Sequence, residues 1–342
     1  MRLLVIRFSA LGDVAMTVPV VQAFAEEHHD VEICILTRTR FTPLFSNMPE
    51  NVETIGINLA DYKGIVGLYR LYKELKARRF DCVADLHDVL RTKILRFFFR
   101  MAKIRVVVVD KGRKEKKALI GHGMDAEAVK PMRDRYLETL MMLEEFKGSR
   151  VQEFKGSRAH PSIGSGTEFE GSSREIKIGI APFAAYETKM YPLDKMEKVV
   201  RMLAEKGYQI YLFGGGEKEK KILSGWESKE VKSMCGKLSG LKEELDFMKG
   251  LNLMVAMDSA NLHLATMVGT PTVSVWGATH PKAGFAPEKS VIVQKDLECR
   301  PCSIYGNAKC KFGDIRCMTL IEPEEIVDTV MRLCGQEGII DK

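Results

Sequence analysis

The chain has 342 residues, 45% of them apolar and 29% charged, with a formal net charge of +6. That length supports two domains with full cores, and the composition is ordinary for a globular chain. The basic excess is too small to point to nucleic acid, and no run of about eighteen apolar residues is present to span a membrane.

Leu3 to Phe8 reads as a first strand, too short and too interrupted for a signal peptide. Ser9-Ala10-Leu11-Gly12-Asp13 is a small-residue loop. Val14 to Glu27 has helical spacing, and Pro19 inside it should bend the helix or displace its start. Val31 to Leu36 and Val52 to Ile57 read as strands, and Ile65 to Ala77 as a basic amphipathic helix. Cys82 to Leu86 is a strand, Val89 to Met101 a helix and Ile104 to Val109 a fifth strand. Strands alternating with helices predict an α/β fold with a parallel, doubly wound sheet. Pro131 to Phe146 reads as a long helix with its proline at the start. From about Lys147 to Arg174 the chain is polar and rich in Gly and Ser, and Glu145–Arg150 is echoed at Glu153–Arg158. This stretch is expected to be a flexible link.

The alternation then restarts. Ile176 to Ala181 is a strand, Pro192 to Lys206 a helix and Tyr208 to Phe213 a strand, followed by Gly214-Gly215-Gly216-Glu217 and a short helix. Leu251 to Met257 is a buried strand, Asn261 to Val268 a short helix, Thr272 to Trp276 a strand and Pro323 to Leu333 a terminal amphipathic helix. The expected division is a Rossmann-like domain over 1–150, a linker over 151–174 and a second Rossmann-like domain over 175–322. A C-terminal helix over 323–342 is expected to pack back on the first domain.

Candidate residues sit where strands end, because ligands of such sheets bind at the carboxyl edge. Asp13 follows the first strand and reads either as a general base or as a helix N-cap. Lys189 follows the first strand of the second half and reads as a phosphate partner or as a solvated lysine. Asp258 and Ser259 stand where Asn261 to Val268 begins, and a helix start is a natural seat for phosphate. His263, on the first turn, could bond a phosphate or a sugar hydroxyl. Glu217, beside glycines that let a ligand approach the backbone, could hold ribose hydroxyls. Neither glycine stretch is Gly-x-Gly-x-x-Gly, and no Gly-x-x-x-x-Gly-Lys-Ser/Thr occurs, which counts against a dehydrogenase and a P-loop ATPase.

Without an export signal, the eight cysteines are expected to stay reduced. Cys299, Cys302, Cys310 and Cys317 could hold zinc, or could be packed free thiols, since the second pair lacks the tight spacing of common zinc sites. Arg91 to Lys117 carries eleven Lys or Arg against two acids, with Phe97-Phe98-Phe99 inside it. It reads either as contact with an anionic lipid surface or acidic acceptor, or as a core helix with a solvated basic loop.

Taken together, these residues resemble glycosyltransferase family 9, the bacterial lipopolysaccharide heptosyltransferases, over the full length. Arg7-Phe8-Ser9-Ala10-Leu11-Gly12-Asp13 with Pro19 looks like the family's opening signature, and Asp85-Leu86-His87 with Arg91 like its acceptor-side segment. Lys189-Met190-Tyr191-Pro192 is similar to its Lys-Arg-Trp-Pro element, with Met and Tyr in place of Arg and Trp. Asp258 to Ala265 matches its donor motif, with Ala260-Asn261 where the family usually has Gly-Pro. The resemblance implies the GT-B fold, with two Rossmann-like doubly wound domains facing across a cleft. It implies inverting, metal-independent transfer of heptose from ADP-heptose to the inner core of lipopolysaccharide, with an ADP-sugar as substrate and no cofactor. Asp13 would be the base and Lys189 the diphosphate's partner. Ser9, Gly12, Thr188, Lys189, Gly214, Gly215, Glu217, Asp258, Ser259 and His263 would serve the donor. His87 and Arg91 would serve the lipid A-linked acceptor. The cysteine tail looks like that of the second heptosyltransferase subgroup, and no metal is expected there. The implied location is cytoplasmic, peripheral on the cytoplasmic face of the inner membrane. A nucleotide-sugar epimerase or hydrolase of the same fold, or a non-catalytic paralogue, remains the alternative. The epimerase would need an additional acid/base set, and the paralogue would be expected to lose Asp13 or Lys189.

Overall fold

Strands apolar at every position must be covered on both faces, which is the requirement of a central parallel strand. Leu3 to Ile6 and Leu253 to Met257 meet it and are fully buried. A computed structural model describes residues 1–123, 126–143 and 175–335. It divides into two units: Met1–Lys111 with the described residues from Pro131 to 143, and Gly112–Lys130 with the described residues from 175 onward.

The first unit contains β1 (Arg2–Ile6), α1 (Leu11–Glu27), β2 (Glu32–Arg38), β3 (Val52–Ile57), α2 (Gly64–Lys76), β4 (Cys82–Asp85), α3 (Leu90–Met101) and β5 (Arg105–Val108). Its strands form one parallel sheet in the order β3-β2-β1-β4-β5. Leu4, Ile6, Leu36 and Val83 of the sheet pack with Leu71, Leu75, Leu95 and Phe99 of α2 and α3. Helix α1 starts at Leu11, earlier than its spacing suggests, and runs on through Pro19. A proline inside a helix costs about 3 kcal/mol. Val14, Val18, Val21, Phe24 and Ala25 are all buried on α1 and offset that cost. Asp13 therefore lies inside the first helical turn and not in a loop.

A helix not expected from the sequence, α4 (Arg113–His122), follows, and then α5 (Met132–Met141), shorter than the predicted 131–146. Helix α4 clusters with the second unit, so the expected single boundary at residue 150 does not describe the chain. Leu119 and Val129 pack with Ala283 and Ile304 in a small core of their own. The expected linker over 151–174 lies outside the described residues, as does the echoed segment.

The second unit proper runs β6 (Lys177–Ala181), α6 (Leu193–Glu205), β7 (Gln209–Leu212), α7 (Glu217–Ser224), β8 (Val231–Ser233), α8 (Leu241–Lys249), β9 (Leu253–Met257), α9 (Ala260–Met267), β10 (Thr272–Trp276), β11 (Ser290–Gln294), α10 (Arg316–Thr319) and α11 (Pro323–Gly335). The parallel sheet has the order β11-β10-β9-β6-β7-β8. Helix α11 clusters with the second unit. Its apolar face, Ile326, Val327, Val330 and Cys334, joins the core built on α6 and the second sheet. Among the described residues no helix is long and apolar enough to cross a membrane.

Candidate active site

In each sheet the strand order reverses next to the first strand of the unit, between β1 and β4 and between β6 and β9. Ligands of doubly wound sheets sit outside the carboxyl ends at that point. In the first unit, Ser9 follows β1 and His87 follows β4, and Ser9 Oγ lies 3.2 Å from His87 Nε2. Asp85, the fully buried last residue of β4, builds the turn that carries His87. Its Oδ1 accepts the N–H groups of His87 at 3.0 Å and Asp88 at 2.9 Å, while Arg96 donates to its Oδ2 at 2.9 Å. Burial lowers the His87 pKa to about 3, helped by Arg7, Lys111 and Arg38 and opposed by Asp13. The ring is therefore neutral near pH 7 and acts there as a hydrogen-bonding group, not as a cation.

Asp13 is the third residue of α1, after the N-cap Ala10. Its Oδ2 accepts the Ala10 N–H at 3.1 Å and pairs with Arg7 Nη2 at 2.9 Å. So Asp13 is not the N-cap. It satisfies the N-cap's backbone from inside the helix, as the acid of a capping box does. Arg7 is almost completely buried, donates through Nη1 to the Leu86 carbonyl and lies 5.5 Å over the Tyr136 ring. The other Asp13 oxygen, Oδ1, makes no hydrogen bond among the described residues, and the side chain is 29% exposed. A carboxylate with one oxygen anchored and the other presented is suited to take a proton from a hydroxyl.

In the second unit a tight turn at Glu187–Lys189 follows β6, and Asp258 follows β9. Lys189 Nζ meets Asp258 Oδ2 at 2.9 Å, with side chains only 14% and 8% exposed. Thr279, in the segment after β10, donates its Oγ1 to the same carboxylate oxygen at 2.8 Å. Lys189 is thus a held lysine and not a solvated one. Two of its three N–H directions remain for an anion. Ser259 is the N-cap of α9, yet its Oγ makes no cap bond and is buried without a partner. Such a hydroxyl costs about 1–3 kcal/mol. A phosphate at this helix start would satisfy it together with the free N–H groups. His263 is buried at the fourth position of α9.

The cysteine-rich loop supports this lysine. Thr188 Oγ1 donates to the Gly306 carbonyl, and the Ala278 N–H donates to the Thr188 carbonyl at 3.1 Å. Gly306 has φ +83°, and a Cβ there would collide with Cγ and Cδ of Lys189. Glycine is required on both counts. Arg300, fully buried, donates to the carbonyls of Gly277 at 2.6 Å and Thr279 at 2.9 Å. Cys299, Cys302, Cys310 and Cys317 line one small cavity beside Thr188 and Arg300, all as free thiols. Among the described residues, no three or more His, Cys, Asp or Glu are grouped to hold a metal ion. Burial raises Cys317 to about 11 and Cys302 in the same direction. Burial works the same way on Cys310, but the N–H groups of Phe312, Ile315 and Gly313 outweigh it and lower that thiol.

The glycine run after β7 is arranged differently from its sequence reading. Gly214 borders a cavity of about 150 Å³, with Phe213, Met234, Leu238 and Glu244 among its walls. The Gly215 N–H donates to Glu219 Oε2 at 2.7 Å. Glu217 is exposed on α7 and is not part of the cavity wall. Glu244 is, and burial pushes its carboxyl upward. Ser9 and Gly12 lie in the first unit and Lys189 in the second. Arg7 belongs to the Arg7–Asp13 signature without its pairing to Asp13 being readable there, and Thr279 and Gly306 carried no signal beyond a loop threonine and glycine.

Comparison with known proteins adds the following. The chain is 23% identical over 365 residues to lipopolysaccharide heptosyltransferase 2 of Salmonella typhimurium, covering 99% of this chain and 100% of that one. It superposes on the structure of E. coli ADP-heptose lipopolysaccharide heptosyltransferase II with TM-score 0.69 at 18% identity, covering 98% and 99% of the two chains. It superposes on a glycosyl transferase family 9 structure from Veillonella parvula with TM-score 0.72 at 19% identity, covering 100% and 98%. These likenesses give the fold as GT-B, two Rossmann-like α/β units. Residues 68–312 match the model of glycosyltransferase family 9 (heptosyltransferase), so the chain belongs to that family and is a glycosyltransferase.

Proposed function

We propose that this enzyme transfers heptose from ADP-heptose to an inner-core sugar of lipopolysaccharide, inverting the anomeric centre without a metal. The observation that carries the reading is the Lys189–Asp258 pair beside the partnerless Ser259 hydroxyl at the start of α9. A leaving diphosphate gains charge as the glycosidic bond breaks. Lys189 and the α9 N–H groups are donors already in place for that charge. Asp258 and Thr279 hold the lysine in one orientation, so little reorganisation accompanies the reaction. The cavity at Gly214 is the seat assigned to the nucleobase, with Glu244 at its wall.

Inversion needs one base on the acceptor hydroxyl, opposite the leaving group. Oδ1 of Asp13 is that base, and Ser9 and His87 bind the acceptor's hydroxyls beside it. Neutral His87 can exchange hydrogen bonds there without adding charge. Similarity to lipopolysaccharide heptosyltransferase 2 and to ADP-heptose lipopolysaccharide heptosyltransferase II supports the sugar, the nucleotide and the acceptor of this reading.

The acceptor is carried by a lipid, and a membrane-facing surface is assigned to α2 and α3. Ile65, Val66, Phe97 and Met101 are exposed, and Tyr69 joins them through its ring contact with Phe98 at 5.2 Å. Arg70, Lys73, Lys93 and Arg100 on the same two helices supply positive charge. Apolar side chains rimmed by basic ones fit an anionic lipid surface. The expected location is the cytoplasmic face of the inner membrane.

The test is a thermal-shift screen of ADP-, UDP-, GDP- and CMP-sugars, followed by transfer to a lipid-linked core acceptor. ADP-heptose should stabilise the fold most, because a ligand that binds only the folded state raises its melting temperature. Stabilisation by a UDP- or GDP-sugar and not by ADP-heptose would overturn the donor assignment. An unchanged anomeric configuration in the product would overturn inversion, and loss of transfer on chelation would overturn metal independence.

A further inference from the structure

The cysteine-rich loop carries chemistry that donor binding does not use. Cys299, Cys302, Cys310 and Cys317 are free thiols, and they share the walls of one small cavity with Arg300, Lys311 and Arg316. The four are not equivalent. Cys317 is buried on α10 and packs into the core of the second unit. Cys302 is half-buried, and its Sγ donates to the Ala278 carbonyl at 3.8 Å. Cys310 is half-buried at the start of a turn in which Gly313 has φ +75° and Ile315 φ +47°. Left-handed residues among ordinary ones turn successive N–H groups toward one point and make a nest for an anion. The N–H groups of Phe312, Gly313 and Ile315 face the Cys310 sulfur in this way. A β-branched residue held in the left-handed region costs about 1–3 kcal/mol, and such strain collects at working sites. Burial and the Asp314 carboxylate oppose ionisation of Cys310, but the three N–H groups outweigh them. Burial pushes Cys34, Cys235, Cys302, Cys317 and Cys334 the other way. The thiolate, not the thiol, attacks oxidants.

The same loop touches the lysine. Gly306 stands between Cys302 and Cys310 in the chain; its carbonyl accepts the Thr188 hydroxyl, and its α-carbon lies against the stem of Lys189. The Ala278 carbonyl accepts the Cys302 N–H at 3.1 Å, and the Ala278 N–H donates to the Thr188 carbonyl at 3.1 Å. A bond from Cys310 to Cys299 or Cys302 would close a ring that contains Gly306. A bond to Cys317 would not.

We propose that Cys310 is a modification site for peroxides, and that its oxidation joins it to Cys299 or Cys302 and withdraws the loop's support from Lys189. The second half of this rests on the reading that Lys189 holds the donor diphosphate. The Cys310 sulfur attacks one peroxide oxygen: an S–O bond forms, the O–O bond breaks, and the leaving oxygen takes a proton and departs as water. Sulfur loses two electrons and the peroxide gains them. The second thiol then attacks the sulfenic sulfur. An S–S bond forms, the S–O bond breaks, and the departing hydroxide takes that thiol's proton and leaves as a second water. An added thiol reverses the bond by exchange, as expected of a sensing disulfide and not of a structural one.

The test treats the reduced full-length protein with stoichiometric hydrogen peroxide, maps its thiols by mass spectrometry and measures ADP affinity by calorimetry. Before oxidation, brief exposure to iodoacetamide at neutral pH should alkylate Cys310 ahead of the other cysteines. This needs no variant, so it stands even if a substitution disturbs folding. Peroxide should then link Cys310 to Cys299 or Cys302, weaken ADP binding by about tenfold, and do so reversibly on addition of dithiothreitol. Cys310→Ser, reduced, should bind ADP like wild type and keep that affinity in peroxide. Even alkylation of all cysteines, a Cys310 that stays a thiol in peroxide, or a bond from Cys310 to Cys317 overturns the site. So does a metal ion that copurifies on these thiols and shields them from both reagents. If the expected disulfide forms and ADP binds as tightly as before, the link to Lys189 is overturned. If the disulfide forms but the reduced protein binds no ADP, the modification site stands and the donor reading falls.

Discussion

The carboxyl edges of the two sheets have the same topology and opposite chemistry. In the first, a carboxylate is held by a buried arginine, and the Nε of half-buried Arg38 has no hydrogen-bond partner among the described residues. In the second, a lysine is held by a buried carboxylate, and the unmet group is a neutral hydroxyl at a helix start. Each edge therefore carries one charge pair that fixes a working group. What differs is the sign presented outward: a carboxylate oxygen among cations in the first unit, an ammonium in the second. A shared fold thus explains where these residues stand and leaves their task to be argued from side chains.

The comparison breaks most sharply at Asp13. Asp13→Asn should keep ADP affinity and lower turnover by roughly 10²-fold or more. It should also lower the melting temperature, because Arg7 is left buried with its main counter-charge gone. A variant that transfers heptose at near wild-type rate would remove the base from the first edge. On the second edge, Lys189→Ala should weaken ADP binding by roughly ten- to a hundredfold, most at low ionic strength where attraction is least screened. Calorimetry giving unchanged ADP affinity would take Lys189 out of the site. A smaller effect is expected one step removed. Gly306→Ala should weaken ADP binding by about three- to tenfold by pushing the lysine stem aside, with the Lys189–Asp258 pair still present. Normal affinity in that variant would show that the loop does not position the lysine.

Histidines sharpen the contrast through pH. His87 is lowered to about 3 and His280, after β10, to about 4, both chiefly by burial. The unfolded chain takes up these protons near pH 6.5 and the folded chain does not. Stability should therefore be intact above pH 6.5 and fall steadily as pH drops toward 4. His87→Gln should flatten that fall in melting experiments, and an unaltered slope would mean that His87 titrates normally. The smallest effect concerns the lipid surface. Val66→Asp or Phe97→Asp should reduce binding to anionic vesicles by a few-fold, with neutral vesicles binding weakly throughout. Equal binding of variant and wild type would clear α2 and α3 of that role.

Much of this was legible in the chain because parallel strands declare themselves as apolar runs. Leu253–Met257 is one, and the residues just beyond it, Asp258 and Ser259, could be placed at a sheet edge from the sequence alone. Strand β8 was not legible, since three residues with one exposed lysine carry no period. Helix α4 was hidden by Arg113, Lys114, Lys116 and Lys117, which read as a solvated basic loop. Lys116 is in fact buried with its ammonium 4.3 Å over the Phe285 ring. Within the site, positions could be read but partners could not. Lys189 and Asp258 are brought together by pairing of β6 with β9, and nothing local in either segment reveals the other. Arg38 was passed over because an arginine at a strand end ordinarily points to water. That its Nε is buried is a property of the folded chain.

The placement of α4 has a consequence for how this protein can be taken apart. The chain leaves the first unit after Lys111, contributes Gly112–Lys130 to the second and re-enters the first at Pro131. Sequence order and physical partition are therefore not the same, and a single cut near residue 150 separates neither unit cleanly. An N-terminal fragment would carry Leu119 and Val129 without Ala283 and Ile304 to cover them, and the complementary fragment would expose the other half of that small core. Each unit in isolation is a spliced object: the first needs 111 joined to 131 across a short designed loop, and the second needs residues 112–130 supplied in trans or grafted onto its own terminus. Homologous recombination between relatives meets the same rule, because crossovers tolerated by the fold are those that keep 112–130 and 283–304 from one parent.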